Sequence, residues 1–316
     1  MLKKLTSPFR VLLALIFIIS TTNAVFAQLS DTAAWAADLG NRYRVAANIT
    51  YLVASNYEAK LDVYTPRNAT GPVPTLVYIH GGGWTGGTKE GALLNVAPYL
   101  EMGWAVVNVE YRLAKVSLAP AAVEDCRCAL RWVINSKNAK EFNFDVNRIV
   151  LSGHSAGGHL SLTTGMLPAS AGLDRECFGP EELKVAAIIN WYGITDVNDL
   201  LDGPNQKTYA VQWLSSLPDR EAVAKRVSPL TYVRAGLPPI LTIHGDADPT
   251  VPYQHALRLQ EALNKAGVPN QLTTVPGGKH GGFSHDETLR IFATIREFLT
   301  KHNLLKSETA AASSGK

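Results

Sequence analysis

Residues 148–157 run Arg148-Ile149-Val150-Leu151-Ser152-Gly153-His154-Ser155-Ala156-Gly157. A short apolar run leads into Gly-x-Ser-x-Gly and a helical stretch follows at once, so the chain passes from strand to helix in one sharp turn. Such a turn projects the serine hydroxyl, and flanking glycines relieve the crowding that side chains would cause there. Alone, the pattern also fits a glycine-rich turn with an incidental serine. The surrounding chain decides between them.

Working outward, residues 61–65, 75–80, 105–111, 149–152, 185–191, 240–244 and 271–275 read as strands, several continuously apolar, as suits a sheet buried on both faces. Between them, 120–137 (Val123, Cys126, Leu130 and Val133 on one face), 157–167, 252–266 and 286–301 carry helical periodicity. This alternation predicts an α/β protein with a mainly parallel, doubly wound sheet. One stretch breaks the rhythm. Residues 193–233 are polar, contain Pro204, Pro218 and Pro229 and hold no β-run, although Tyr209, Trp213 and Leu217 are apolar anchors. That is too long for an ordinary connection, so it reads as a small helical cap-like insertion, well placed to roof a site at the carboxyl ends of the strands.

Three loops at those carboxyl ends carry candidate chemistry. His80-Gly81-Gly82-Gly83-Trp84 follows a strand, and consecutive glycines let backbone N–H groups approach a developing oxyanion. The N–H of Ala156, next to the serine, would be a further donor. The spacing fits neither phosphate-binding glycine pattern. His244-Gly245-Asp246-Ala247-Asp248 ends another strand, and on loop position alone either aspartate could be the orienting carboxylate, the other being a loop or cap residue. Gly277-Gly278-Lys279-His280-Gly281-Gly282 sets His280 among residues that let an imidazole reach a cleft, whereas His285 lies at a helix start. Ser155, an aspartate and His280 together suit acyl transfer by a serine nucleophile. Trp84, Trp191 and Tyr192 follow strand ends and are candidate substrate-binding residues or, equally, core aromatics.

The chain order serine, acid, histidine is that of an α/β-hydrolase. The sequence resembles the esterase branch of that superfamily with an HGGG-type oxyanion motif, related to the hormone-sensitive lipase group, and within it bacterial secreted acetyl-xylan and feruloyl esterases. The resemblance covers nearly all of residues 45–300 and is carried by His80-Gly81-Gly82-Gly83-Trp84, Gly153-His154-Ser155-Ala156-Gly157-Gly158, His244-Gly245-Asp246-Ala247-Asp248 and Lys279-His280-Gly281-Gly282-Phe283. It implies an α/β-hydrolase fold and a catalytic triad of Ser155, Asp248 and His280, selecting Asp248 over Asp246. It also implies an oxyanion hole of Gly82, Gly83 and Ala156. Tyr111-Arg112-Leu113 with Asp125 also resembles the family and reads as structural, with an Arg112–Asp125 pair supporting the elbow. The expected substrates are acetyl or hydroxycinnamoyl esters of plant polysaccharide, or short-chain and aryl esters. The mechanism requires neither a metal nor an organic cofactor.

At 46% hydrophobic and 18% charged, the 316 residues have the composition of a globular chain rather than a disordered one. Residues 1–27 join basic Lys3, Lys4 and Arg10 to an apolar run over 11–19 and end in Val25-Phe26-Ala27, the anatomy of a cleavable signal peptide. The run falls far short of the ~20 residues that span a bilayer. The expected organisation is therefore signal peptide 1–27, hydrolase domain 28–305 containing the 193–233 insertion, and flexible tail 306–316. The expected location is secreted or periplasmic. The net charge of +3 resides in the leader, and the remainder carries 27 basic and 27 acidic residues, which gives no footprint for nucleic acid or, after cleavage, for a membrane. Cys126, Cys128 and Cys177 leave open one bond from Cys177 to either of the others, or three unpaired thiols. Three rival readings stand beside the esterase. A prolyl-oligopeptidase-like peptidase would need a propeller domain for which the length leaves no room. An arylformamidase would share His80-Gly81-Gly82-x-Trp84 but is ordinarily cytoplasmic. A non-catalytic binding protein on the same fold would be marked by a missing catalytic role, and none is missing.

Overall fold

The computed structural model describes residues 30–177, 179 and 182–306; the expected signal peptide 1–27 and all of the 306–316 tail but Lys306 lie outside them. The chain divides at Asp38 into two units. What is described of the first is most of helix α1 (Asp31–Arg42), which has no buried residue. The second holds, among the described residues, one eight-stranded sheet: β1 (Tyr43–Ala54), β2 (Tyr57–Pro66), β3 (Val73–Ile79), β4 (Ala105–Val109), β5 (Phe144–His154), β6 (Ala187–Trp191), β7 (Ile240–Gly245) and β8 (Asn270–Val275). Their spatial order is β1-β2-β4-β3-β5-β6-β7-β8; β2 runs antiparallel to both its neighbours, and every pairing from β4 to β8 is parallel. This is the mainly parallel sheet that strand–helix alternation predicts, in the α/β-hydrolase fold that the resemblance implies.

The two cores follow from the pleat. Val77 and Ile79 of β3, with Val107, Leu151, Ile188 and Ile240, face one side. Leu76 and Tyr78, with Val106, Val150, Ile189 and Leu241, face the other, because alternate residues point to opposite faces. On the first side lie α3 (Ala121–Ile134), α5 (Ala156–Met166) and α8 (Gln254–Lys265), contributing Cys126, Leu130, Leu160, Leu259 and Leu263. On the second lie α2 (Leu93–Glu101) and α9 (His285–Lys301), contributing Val96, Tyr99, Ile291 and Ile295. Among the described residues no helix is long and apolar enough to cross a membrane.

Three elements depart from the sequence reading. β1 is an edge strand with few buried residues and an irregular register near Asn48 (φ 59°), so its two-residue alternation is too broken to read. α2 contains Pro98, which masks a helical pattern. The expected helix 120–137 ends at Ile134, where Asn135 turns extended (ψ 128°) and its side chain accepts from Lys137 N to cap α4 (Ser136–Phe142).

The 193–233 stretch forms short 3-10 turns with α6 (Thr208–Leu214) and α7 (Arg220–Arg226). Trp213 is fully buried and stacks on Trp84 at 4.1 Å, and His159 of α5 meets both rings edge-on. His159 Nδ1 accepts from Trp84 Nε1 (3.2 Å) and Nε2–H donates to Val227 O (2.7 Å), tying the insertion to the elbow helix. Cys128 and Cys177 form a disulfide and Cys126 is free and buried, which resolves the alternatives left open by the spacing. Asp125, fully buried, holds Arg112 by its backbone N–H (2.8 Å) and through the guanidinium (2.6–3.0 Å), while Arg112 Nη1 reaches Ser55 Oγ. The pair thus clamps the segment after β4 to α3, which packs on α5.

Asp125→Ala leaves the Arg112 charge buried without its partner and is expected to lower unfolding free energy by about 3–5 kcal/mol, readable from denaturant midpoints. Burial also pushes the imidazole of His159 down to about 3 and those of His80 and His255 to about 4. These rings stay neutral in the fold while the unfolded chain protonates near pH ~6.5, so the unfolded state binds more protons in the interval between. Stability is expected to be complete above about pH 6.5 and to fall on acidification toward about pH 4, by up to ~1.4 kcal/mol per pH unit for each such ring. Urea titrations across that window check the sign; a gain of stability on acidification contradicts it.

Candidate active site

Ser155 stands between β5 and α5 at φ 57°, ψ −121°, a conformation disfavoured for a non-glycine residue. The crossing is so tight that a Cβ on Gly153 or Gly157 would lie 2.3 or 2.0 Å from Ile79 O. Only glycine fits at these two positions. Ser155 N donates to Trp191 O (2.9 Å), and Ser155 O accepts from His159 N as α5 begins. The strained serine is therefore held from both sides.

The loop after β3 lies against this elbow: a Cβ on Gly81 would meet His154 O at 2.7 Å and Ser155 Cβ at 3.5 Å. Gly82 and Gly83 have φ of 116° and 58°. Among the described residues the N–H groups of Gly82, Gly83 and Ala156 donate to no partner, as an oxyanion site requires. Gly82 O accepts from Gly86 N, closing the loop on itself. His80 anchors it below: its ring stacks on Tyr111 at 4.3 Å, Nδ1–H donates to Gly81 O, and the Tyr111 hydroxyl donates to His80 O.

On the other side, the loops after β7 and β8 are stitched together. Gly277 N donates to Asp246 Oδ1 (2.6 Å) and Ala247 N to Gly278 O (3.0 Å). Asp248 is the aspartate that meets the imidazole: His280 Nδ1–H donates to Asp248 Oδ2 at 2.7 Å, leaving Nε2 as the proton acceptor. Thr250 N and Val251 N donate to Asp248 Oδ1, and His244 Nε2 lies 3.3 Å from Oδ2. Burial by itself raises the Asp248 pKa and is the largest single influence. The hydrogen bonds from His244, His280 and Val251 together outweigh it and hold the carboxylate well below its usual range. The carboxylate thus stays ionised beside the imidazole, and Asp246 serves the loop geometry instead.

Among the described residues no hydrogen bond joins Ser155 Oγ to His280. The ring of Tyr192 lies 4.6 Å from that of His280 and 5.5 Å from that of His154, the chain neighbour of Ser155. Hydrogen bonds between nucleophile and base are commonly long before substrate arrives. Trp191 and Tyr192 line a cavity of about 380 Å³ next to these loops. Trp84 does not face it. Fully buried between Trp213, His159 and Tyr209, it is a core residue beneath the insertion, and the expectation that it lines the substrate pocket is corrected. Three neighbours escaped the sequence reading. Tyr209 leans on Gly83 and donates to Thr250 O; His244 contacts Asp248; His154 lines the cavity. The signal for the last two was present, since each histidine stands inside a quoted motif.

The family model described as BD-FAE matches residues 61–263, a span that carries the glycine loop, the elbow and Asp248 and stops short of His280. The chain is similar to esterase LipQ of Mycobacterium tuberculosis, with 28% identity over 236 residues, 72% of this chain and 55% of LipQ. It spans about half the length of the curated relatives it matches. Among solved structures it is similar to a truncated carbohydrate esterase from gut microbiota, at TM-score 0.69 and 27% identity over 83% of this chain and 97% of that one. It is also similar to Thermogutta terrifontis esterase 2 phosphorylated by paraoxon, at TM-score 0.68 and 26% identity over 89% and 100%.

The short Asp248–His280 bond should give a strongly downfield Nδ1 proton in the NMR spectrum of the folded chain. Asp248→Asn is expected to abolish it and Asp246→Asn to leave it in place; loss in both variants refutes the division of roles.

Proposed function

The chain belongs to the BD-FAE family, and from that premise we propose that it is a serine carboxylic ester hydrolase with Ser155, His280 and Asp248 as its triad. The observation that carries the proposal is the Asp248–His280 hydrogen bond, which orients an imidazole in the neighbourhood of a strained serine and three unengaged N–H groups. Ser155 Oγ attacks the ester carbonyl carbon and gives its proton to His280 Nε2; Asp248 fixes the tautomer and stabilises the imidazolium. The N–H groups of Gly82, Gly83 and Ala156 receive the oxyanion. The C–O bond to the alcohol breaks as His280 returns the proton to the leaving oxygen. Water then attacks the acyl-serine, His280 takes its proton and passes it to Ser155 Oγ, and the acid departs. Each step uses this chain's own residues.

For substrates we propose acetyl or hydroxycinnamoyl esters of plant polysaccharide, with short-chain or aryl esters as simpler analogues. The similarity to a carbohydrate esterase supports the sugar-linked reading. We place the protein outside the cytoplasm, a reading supported by the leader sequence and by the Cys128–Cys177 bond, since such bonds persist in oxidising compartments.

Purified protein is expected to hydrolyse p-nitrophenyl acetate and to be titrated covalently by paraoxon. Ser155→Ala should remove both. In steady-state assays Asp248→Asn should lower kcat by about 10³–10⁴ through loss of the correct tautomer. Asp246→Asn, whose amide oxygen can still accept from Gly277 N, should cost less than about tenfold. Activity surviving Ser155→Ala rejects the nucleophile. Comparing acetate with ferulate release from xylan sorts the acyl group.

A further inference from the structure

One cavity, of about 380 Å³, adjoins the reacting groups without being lined by either. His154, Trp191, Tyr192, Gly281, Phe283 and Phe292 wall it. His154 and Gly281, which line it, are the chain neighbours of Ser155 and His280. Its wall is mixed, with Asn95 and Thr288 beside the aromatic rings and beside Leu94, which is 82% exposed.

A chain of hydrogen bonds leads to this cavity. Asn95 Nδ2 donates to the Tyr78 hydroxyl oxygen (3.0 Å), and the Tyr78 hydroxyl meets His154 Nδ1 at 2.5 Å. An amide nitrogen can only donate, so Asn95 takes an acceptor site of the phenol oxygen and leaves the phenol proton free for Nδ1. In the tautomer that accepts it, the neutral ring carries its remaining proton on Nε2. Stacking on Trp191 at 4.7 Å fixes the ring plane. Nε2 has no partner among the described residues, so in that tautomer a donor stands beside aromatic walls with its hydrogen bond unmade. A ligand that offers an acceptor oxygen there gains that bond without reorganising the site. A general acid must also stand beside the oxygen that leaves. Residues 281–283, which follow His280 directly, form part of the wall of this cavity.

We propose that this cavity is the leaving-alcohol subsite and that His154 is a specificity-determining residue, selecting ring-bearing alcohols with an acceptor oxygen for Nε2–H. The proposal rests on the ester-hydrolase reading and deepens it.

The test compares two acetates of similar size, 4-acetylbenzyl acetate, whose ring carries an acceptor carbonyl, and 4-isopropylbenzyl acetate, whose ring does not. Wild type should favour the first by about tenfold in kcat/KM. His154→Phe, which keeps a planar ring and removes the donor, should bring the ratio to about one. Tyr78→Phe, which releases the tautomer without altering the wall, should lower it partway and serves if His154→Phe does not fold. Equal rates in wild type, or a ratio unchanged in the folded variants, overturns the proposal. Methyl esters of 4-acetyl- and 4-isopropylphenylacetic acid put the same groups on the acyl side and should react alike; tenfold discrimination there instead overturns the alcohol-side assignment. Titration of Ser155→Ala with 4-acetylbenzyl alcohol and its isopropyl counterpart, followed by tryptophan fluorescence, is independent of turnover. Saturable quenching about tenfold tighter for the acetyl compound, and lost when His154→Phe is added, supports the subsite. Absence of that preference overturns it even where p-nitrophenyl acetate is hydrolysed. No hydrolysis of any ester, by contrast, sinks the ester-hydrolase reading.

Discussion

The carbonyl oxygen of Ile79, the last residue of β3, sets the distance at which two loops can meet. The elbow crosses directly above it, with Gly153 and Gly157 so near that neither has room for a methyl group. That contact starts α5 where it does and leaves Ser155 at positive φ. The next residues after Ile79 are the glycine loop itself, so one close approach brings the serine and the free N–H groups together. The conformational cost at Ser155 is offset by its hydrogen bonds to Trp191 O and from His159 N, and by a helix core in which nearly every α5 residue is buried.

A second constraint governs the 193–233 insertion. The 193–233 insertion is fastened to the body by aromatic stacking of Trp213 on Trp84 and by the two hydrogen bonds of His159. It also reaches the acid loop, through Lys207 Nζ to Pro249 O and the Tyr209 hydroxyl to Thr250 O. Near its start, Asp196 and Asp199 meet Arg258 and His255 of α8. The groups that hold the insertion are thus neighbours of Gly83 and of the loop that carries Asp248. Changes in the insertion should reach the chemistry through Gly83 and Thr250 before they reach it through any lid motion.

Legibility tracked how local the physics was. Strands of the parallel sheet were readable because burial on both faces leaves continuous apolar runs, and the elbow because its glycines are demanded by its own turn. β1 was not readable, since an edge strand buries little and breaks register. α2 was hidden by Pro98. Among aromatics, position after a strand placed Trp84 and Trp191 alike near the site, yet Trp84 is sealed under Trp213, a residue more than one hundred positions away.

What the sequence determined by itself was the set of groups and the turns that present them: a serine between glycines, a glycine run after β3, an aspartate and a histidine each on a loop past a strand. Turn geometry is short-range, so it is written where it acts. The residues alone left Asp246 and Asp248 open and the resemblance chose between them; the Asp248–His280 contact itself, the partner of Cys177 and the burial of Trp84 were decided only by tertiary structure. Each depends on which atoms of distant segments fall within about 3–4 Å, and hydrogen-bond and packing energies vanish beyond that reach.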